Sequence, residues 1–123
     1  MSQGALTFYL MEGPEGPPPG RSPVPKVQPA PLARPLSAVA REIRADYAAK
    51  GKPVYYSAKP YVDAMASLGS MEDRFYEDPA LDVVIYALSN LSTWRGEVAT
   101  RVKDELKAAV NARLVAIGRK PTY

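Results

Sequence analysis

The stretch Thr93 to Gly118 reads TWRGEVATRVKDELKAAVNARLVAIG. Within it Trp94, Val98, Val102, Leu106, Val110 and Leu114 recur every four residues, with Ala99, Ala109 and Ile117 beside them. That is an apolar stripe on a period of about 3.6 residues, the signature of a helix with one greasy face and not of an alternating strand. Ser92 or Thr93 is placed to cap the amino end, and Glu97 sits in the first turn, where negative charge suits the helix dipole. Glu97, Arg101 and Glu105 are spaced as an i, i+4 ladder on the wet side. Gly118 can adopt the left-handed closing conformation, and Pro121 forbids continuation. The stretch therefore predicts one long carboxyl-terminal helix on which the rest of the chain packs.

Upstream, five further elements are predicted. Leu36 to Lys50 is an amphipathic helix with Leu36, Val39, Ala40, Ile43 and Tyr47 on one face. Ser37 is its candidate cap, Asp46 can pair with Lys50, and Gly51 ends it. Lys52 to Ser57 is extended chain. Lys59 to Leu68 is a second helix, capped by Ser57, with Pro60 in the first turn, Tyr61, Met65 and Leu68 inward, and Gly69 closing it. Ser70 opens a short helical turn with Asp73 in a capping-box position and Phe75 and Tyr76 as its apolar residues. Asp78-Pro79 starts a third helix over Ala80 to Leu91, where Val83 to Tyr86 would also suit a buried strand. Apolar residues on most of its circumference make this the central element.

Before Leu36 the composition changes. The segment Gly13 to Pro35 holds nine of the chain's 13 prolines. Proline lacks an N–H and biases its predecessor to extended geometry, so the segment reads as a semi-rigid spacer, with docking to an aromatic groove as the alternative. The short apolar run Ala5 to Met11 reads as part of that tail. The reading is thus all-α: a small bundle of three to four helices with a long C-terminal helix, preceded by a proline-rich extended N-terminal arm. The arm spans 1–35 and the helical domain 36–123.

The 123 residues suffice for one modest domain, for which a partner subunit would add stability. The chain has neither cysteine nor histidine. Disulfides, thiolate metal sites, cysteine nucleophiles and serine–histidine arrangements are thereby excluded, and acid–base chemistry would have to rest on carboxylates, lysine or tyrosine. Nucleotide-loop and hydrolase signatures are absent. No apolar run approaches the roughly 18 residues of a membrane span, and the amino terminus lacks the basic start of a signal peptide. Net charge is +3, with an acidic middle (one basic and six acidic residues over 60–92) between basic flanks. That balance argues against a nucleic-acid binder, and the cations of the last helix (Arg101, Lys103, Lys107, Arg113) scatter around its circumference. Glu72, Asp73, Glu77, Asp78 and Asp82 lack the spacing of a cation loop; caps and a solvated face explain them better, so no metal and no cofactor is expected.

One aromatic–basic set stands out. Tyr55, Tyr56, Lys59 and Tyr61 lie near the start of one helix, and Trp94, Arg95 and Arg101 at the start of another. Arginine beside tryptophan can stack on or clamp a base or phosphate. The plainer reading makes Trp94 a core anchor and pairs Arg95 with the acidic middle segment. These seven residues are the candidate ligand- or partner-binding set, and no catalytic residue is assigned.

Two segments carry a resemblance. Val54-Tyr55-Tyr56-Ser57-Ala58-Lys59-Pro60-Tyr61, followed by Ala64-Met65, is one; Leu88 to Glu97 with its Thr93-Trp94-Arg95-Gly96-Glu97 core, followed by Arg101, Lys103, Glu105 and Leu106, is the other. Together they resemble small uncharacterised proteins encoded by tailed phages and prophages, which carry an aromatic-Gly-Ala-x-Pro-Tyr-x-x-Ala-Met segment and a Thr-Trp-Arg-Gly-Glu segment. The likeness covers roughly 54–110, and Ser57 stands where the pattern has glycine. It implies phage origin and a compact helical fold, and it implies no catalytic residues. The expected function is then a non-enzymatic binding protein acting on a host or phage protein in the host cytoplasm. The alternatives are a minor virion protein whose arm threads along neighbouring subunits, a small-ligand (nucleotide) binder and a nucleic-acid binder. A homo-oligomer is compatible with each, and a membrane role is not expected.

The long-helix reading is open to a direct test. Val102→Asp is expected to destabilise the fold by roughly 3–5 kcal/mol, because it buries an unpaired charge. An unchanged melting temperature would place the stripe in water.

Overall fold

Between residues 27 and 123, the part of the chain that the computed structural model describes, the apolar periodicity resolves into four helices. These are α1 (Leu36–Ala49), α2 (Lys59–Met65), α3 (Ala80–Asn90) and α4 (Glu97–Ala116). A two-stranded hairpin, β1 (Arg74–Phe75) and β2 (Asp78–Pro79), precedes α3. The chain is mostly helical. The expectations for the apolar run at 5–11 and for the proline-rich segment up to residue 26 lie outside the described residues.

Each helix packs on its successor, and α4 closes back on α1. The seam between them is fully buried: Leu36, Val39 and Ile43 from α1, Val62 and Met65 from α2, Val84 from α3, and Val102, Leu106 and Val110 from α4. Burying each such side chain is worth roughly 1.5–3 kcal/mol, which makes this seam the main source of stability. All five residues expected on the inner face of α1 are buried. The ambiguous segment Ala80–Asn90 is a helix between α2 and α4, and a strand there would leave no partner for its backbone. Its side chains Leu81, Val83, Val84, Ala87 and Leu88 are buried, whereas Tyr86 points out.

Several local expectations are corrected. Helix α4 starts at Glu97 and not at Thr93, and its first cap is Gly96 with φ 116°. Neither Ser92 nor Thr93 caps it, and Trp94 is swallowed by the preceding turn. Val98 is half-buried and Ile117 exposed, so the stripe frays at both ends. Ser37 does not cap α1 either. Instead the Leu36 and Ser37 N–H groups donate to the carbonyls of Gly69 and Leu68, at 2.8 and 2.9 Å. The orphan donors of one helix are thus met by the exit of another. Residues 70–76 form no helical turn; the chain runs instead into the β1–β2 hairpin. Asp73 keeps its capping role, with Oδ2 accepting from the Gly69 and Ser70 N–H groups at 2.8 and 3.0 Å. Asp78 lies in β2, and Pro79 becomes the residue before the first turn of α3.

Two helix ends follow the sequence signals. After α1 the Gly51 and Lys52 N–H groups return to the carbonyls of Ala48 and Tyr47, with Gly51 at φ 71°. After α4 the Gly118 and Arg119 N–H groups return to Val115 and Leu114, with Gly118 at φ 83°. Both are Schellman closures, which require a left-handed residue that glycine adopts without strain.

Asn111 is the one buried polar side chain of the core among the described residues. Its Nδ2 donates to the carbonyls of Val27 and Tyr123 at 2.8 and 3.1 Å, and its Oδ1 accepts from the Thr122 and Tyr123 N–H groups at 3.0 Å each. All four hydrogen-bonding positions of the amide are filled. Residues 27–35 accordingly lie along α4, where the Ala30 N–H also reaches the Ala108 carbonyl at 3.1 Å. Asn111→Ala is expected to lower stability by roughly 2–3 kcal/mol, since it strands buried backbone groups. Urea denaturation gives the value, and an unmoved midpoint would mean that water replaces the amide freely.

Candidate functional site

The turn between α3 and α4 seats Trp94, from the second half of the aromatic–basic set, against α1. Trp94 is almost fully buried, stacked on Tyr47 with ring centroids 5.8 Å apart and planes at 18°. Its indole N–H donates to Asp46 Oδ2 at 2.7 Å. Asp46 also pairs with Lys50 at 2.9 Å, and Lys50 Nζ donates onward to the Arg95 carbonyl at 2.7 Å. Lys103 Nζ donates to the Trp94 carbonyl at 2.6 Å. The hydrogen bond from Lys50, then that from Trp94, holds the Asp46 carboxyl below its ordinary range. Burial draws the Lys103 ammonium down, and repulsion from Lys107 and Arg95 adds to it. The Trp-Arg-Gly corner is therefore a structural latch: the indole anchors, lysines cap the exposed carbonyls, and Gly96 supplies the positive φ.

Arg101 belongs to a second network. Arg34 donates to Glu105 through Nε and Nη2 at 2.9 and 2.7 Å, and to Glu42 at 2.6 Å; Arg101 closes the chain by pairing with the other Glu42 oxygen. The paired arginines hold Glu42 below its usual carboxylate range, Arg101 most strongly. A fork–fork pair of this kind fixes geometry, here tying the segment before α1 to α1 and α4. The intrahelical ladder expected from Glu97, Arg101 and Glu105 is replaced by these contacts between elements.

The tyrosines are different. Tyr55 and Tyr56 are 41% and 78% exposed, and their rings lie 4.9 Å apart. They occupy the turn that opens α2, where the Tyr55 carbonyl accepts from the Ala58 and Lys59 N–H groups at 2.9 and 3.0 Å. Tyr61, in the first turn of α2, leans on Tyr86 of α3 at 5.5 Å. Lys59 pairs with Asp63 at 2.8 Å, an acid shared with Arg44. Both Tyr55 and Tyr56 border a cleft of about 420 Å³ that Tyr47, Lys52, Val54 and Thr93 complete. Tyr47 is only 7% exposed, and its hydroxyl is buried with no hydrogen-bond partner. Burial pushes that hydroxyl's pKa up, against an opposing effect of the Tyr55 backbone, and the Asp46 charge adds to the rise. Among the described residues Lys52 and Arg95 make no ion pair.

Of the seven residues singled out in the sequence, Tyr55, Tyr56 and Arg95 are free to meet a partner and Tyr61 is half-buried. Lys59 and Arg101 are spent on ion pairs, and Trp94 on packing. Tyr47 and Lys52 were missed as site residues. Tyr47 sits on the apolar face of α1, where its spacing marks it as core, and only the fold shows that its hydroxyl lacks a mate. A larger cleft, about 590 Å³, lies elsewhere, between residues 31–35, the Gly69–Glu72 turn and the end of α4. Its two cations are engaged, Arg34 by Glu105 and Glu42, and Arg113 by Glu72 at 3.7 Å. With both of its cations engaged, it is the weaker candidate. Glu72 and Asp73 serve as ion-pair partner and cap, as their acidic cluster implied. No helix of the described residues is long and apolar enough to cross a membrane.

No known protein family matches the chain, and no curated protein or solved structure is significantly similar to it. Function has to be argued from the site.

Gly96 tests the latch. A methyl group there would meet only Lys50 Nζ, at 3.5 Å, so space is available and backbone strain decides. Gly96→Ala is expected to cost about 1–3 kcal/mol, measured by thermal or urea unfolding followed on Trp94 fluorescence. A neutral result would mean that the corner relaxes to negative φ.

Proposed function

We propose that the chain is a non-enzymatic, phage-encoded binding protein that acts on a protein partner of host or phage. Its folding unit is read as an all-α bundle over 36–123, against which residues 27–35 of the proline-rich segment 1–35 are laid, and its place of action as the host cytoplasm. The observation that carries the reading is the Tyr55–Tyr56 surface: two large exposed rings beside the uncommitted Lys52, outside the core. Tyrosine offers wide amphipathic contact at low entropic loss and is enriched where proteins meet. Glu42, Asp46, Asp63, Asp73 and Glu105 are tied into pairs and caps, and neither histidine nor cysteine is present.

A second reading is favoured by one feature. The Lys52 ammonium beside the exposed rings would suit an anion with a planar base such as a nucleotide, stacked on Tyr55 or Tyr56. Such a ligand would raise the melting temperature with concentration.

Affinity purification with the wild type and with Tyr55→Ser/Tyr56→Ser decides between outcomes. The double variant is expected to melt like the wild type, since both residues lie at the surface, and to lose the retained partner with at least a tenfold drop in affinity, on the order of one hot spot. Equal retention by both proteins would remove the surface from the reading. Stabilisation of the wild type alone by nucleotides would move it to the small-ligand form.

A further inference from the structure

The β1–β2 hairpin holds a feature that the fold does not explain. Its two-residue loop is Tyr76-Glu77, and Tyr76 has φ 56°, the one positive φ at a non-glycine among the described residues. A positive φ at the first loop position alone is the sign pattern of a type II′ turn, where glycine is the usual occupant. A bulky residue there is a backbone outlier. Tyr76 is 87% exposed, and its ring contacts Phe75 edge-on at 4.7 Å. Core burial therefore cannot account for it. Arg74 is occupied in closing the turn by donating to the Glu77 carbonyl at 2.9 Å. The flanking Glu77 and Asp78 make no ion pair among the described residues, nor does Asp82 just beyond. The hairpin is thus a rigid tip presenting one aromatic ring between free carboxylates.

The cleft beside Tyr55 and Tyr56 has the opposite character. It is concave, walled by Pro53, Val54 and the two rings, and bordered by the free ammonium of Lys52. At its base lies the buried, unpartnered Tyr47 hydroxyl. At about 420 Å³ it falls within the range, roughly 300–1,000 Å³, of clefts that hold a ring system.

We propose that this cleft takes the Tyr76 hairpin of a second copy, so that the chain self-associates head to tail. The proposal rests on the reading of the Tyr55–Tyr56 surface as a protein-binding site and names its occupant. Charge complementarity chooses that occupant: Glu77 and Asp78 on the tip are opposite in charge to Lys52, the cation that lines the cleft. The inserted Tyr76 ring packs against the exposed faces of Tyr55 and Tyr56. The two surfaces are different patches, so the contact is heterologous and propagates into a ring or a filament unless one patch is blocked. Attraction between the exposed charges weakens with salt.

Sedimentation velocity of the full chain tests this, with two variants that each destroy one patch. Tyr76→Gly removes the ring and relieves the positive φ, so it folds at least as well as the wild type. Lys52→Glu/Tyr56→Ser changes surface residues of the cleft alone. The wild type is expected to grow in mass with concentration, past the dimer at low salt and less at high salt. Each variant alone is expected to stay monomeric, with association weakened by at least about tenfold, the loss of one hot spot. Mixed together, the variants keep one intact tip and one intact cleft, and are expected to form dimers and nothing larger. A wild type that stays monomeric at every concentration overturns the proposal, as does a Tyr76→Gly protein that associates like the wild type, or a mixture without dimers. If the wild type is monomeric yet Tyr55→Ser/Tyr56→Ser still loses a different protein partner, the self-association fails and the binding surface stands.

Discussion

The buried indole of Trp94, with its N–H on Asp46, is the contact on which the arrangement of helices depends. Residues 91–96 must carry the chain from the end of α3 to the start of α4, and the indole fills the corner that this turn would leave. Its partners Asp46 and Tyr47 belong to α1, and Lys50, the residue that ends that helix, donates to the Arg95 carbonyl beside it. The α3–α4 connection is therefore seated on α1, which closes the ring of helices. An indole N–H left unpaired in that position would be a desolvated polar group, so the buried ring requires the Asp46 carboxylate. Gly96 completes the device, because only a residue at ease with positive φ turns into α4 directly behind the ring.

Helix ends in this protein are met in two ways. Where a glycine follows the last turn, at Gly51 and Gly118, the closure is local. Where α1 begins, distant carbonyls of Leu68 and Gly69 do the work of a capping side chain. Asn111 extends the second way to chain segments outside the helices, gathering Val27, Thr122 and Tyr123 on one amide. Local closures survive on their own chemistry. Distant ones hold only while the core is intact, and so they make folding cooperative.

Charge follows the same division. Glu42, Glu105, Arg34 and Arg101 bind elements to one another, while Lys52, Arg95, Glu77 and Asp78 are left to solvent. The uncommitted charges stand beside the uncommitted aromatics, Tyr55 and Tyr56 with the cations and Tyr76 with the acids. Exposed rings next to unpaired charge contribute little to a monomer's stability, and this is why the binding reading centres on them.

Much of the helical character could be read from the chain alone. A four-residue recurrence of apolar side chains specifies a buried helix face whatever lies opposite it, so Leu36 to Tyr47 and Val102 to Leu114 were legible. Glycine after a helix is equally local, which made Gly51 and Gly118 readable. The hairpin at Arg74–Pro79 was not, because nothing in Phe75-Tyr76-Glu77 favours a turn whose first residue has positive φ. Trp94 shows the other boundary. Its spacing joined it to the stripe of α4, but its place in the preceding turn follows from Asp46, which lies 48 residues away. The candidate site divides likewise: composition pointed to Tyr55, Tyr56, Arg95 and Arg101, yet only the tertiary structure separated the free side chains from the committed ones. Periodicity is a property of neighbouring residues and is written in the chain. Whether a polar group has a mate depends on what the fold brings against it, and no stretch of sequence holds that by itself.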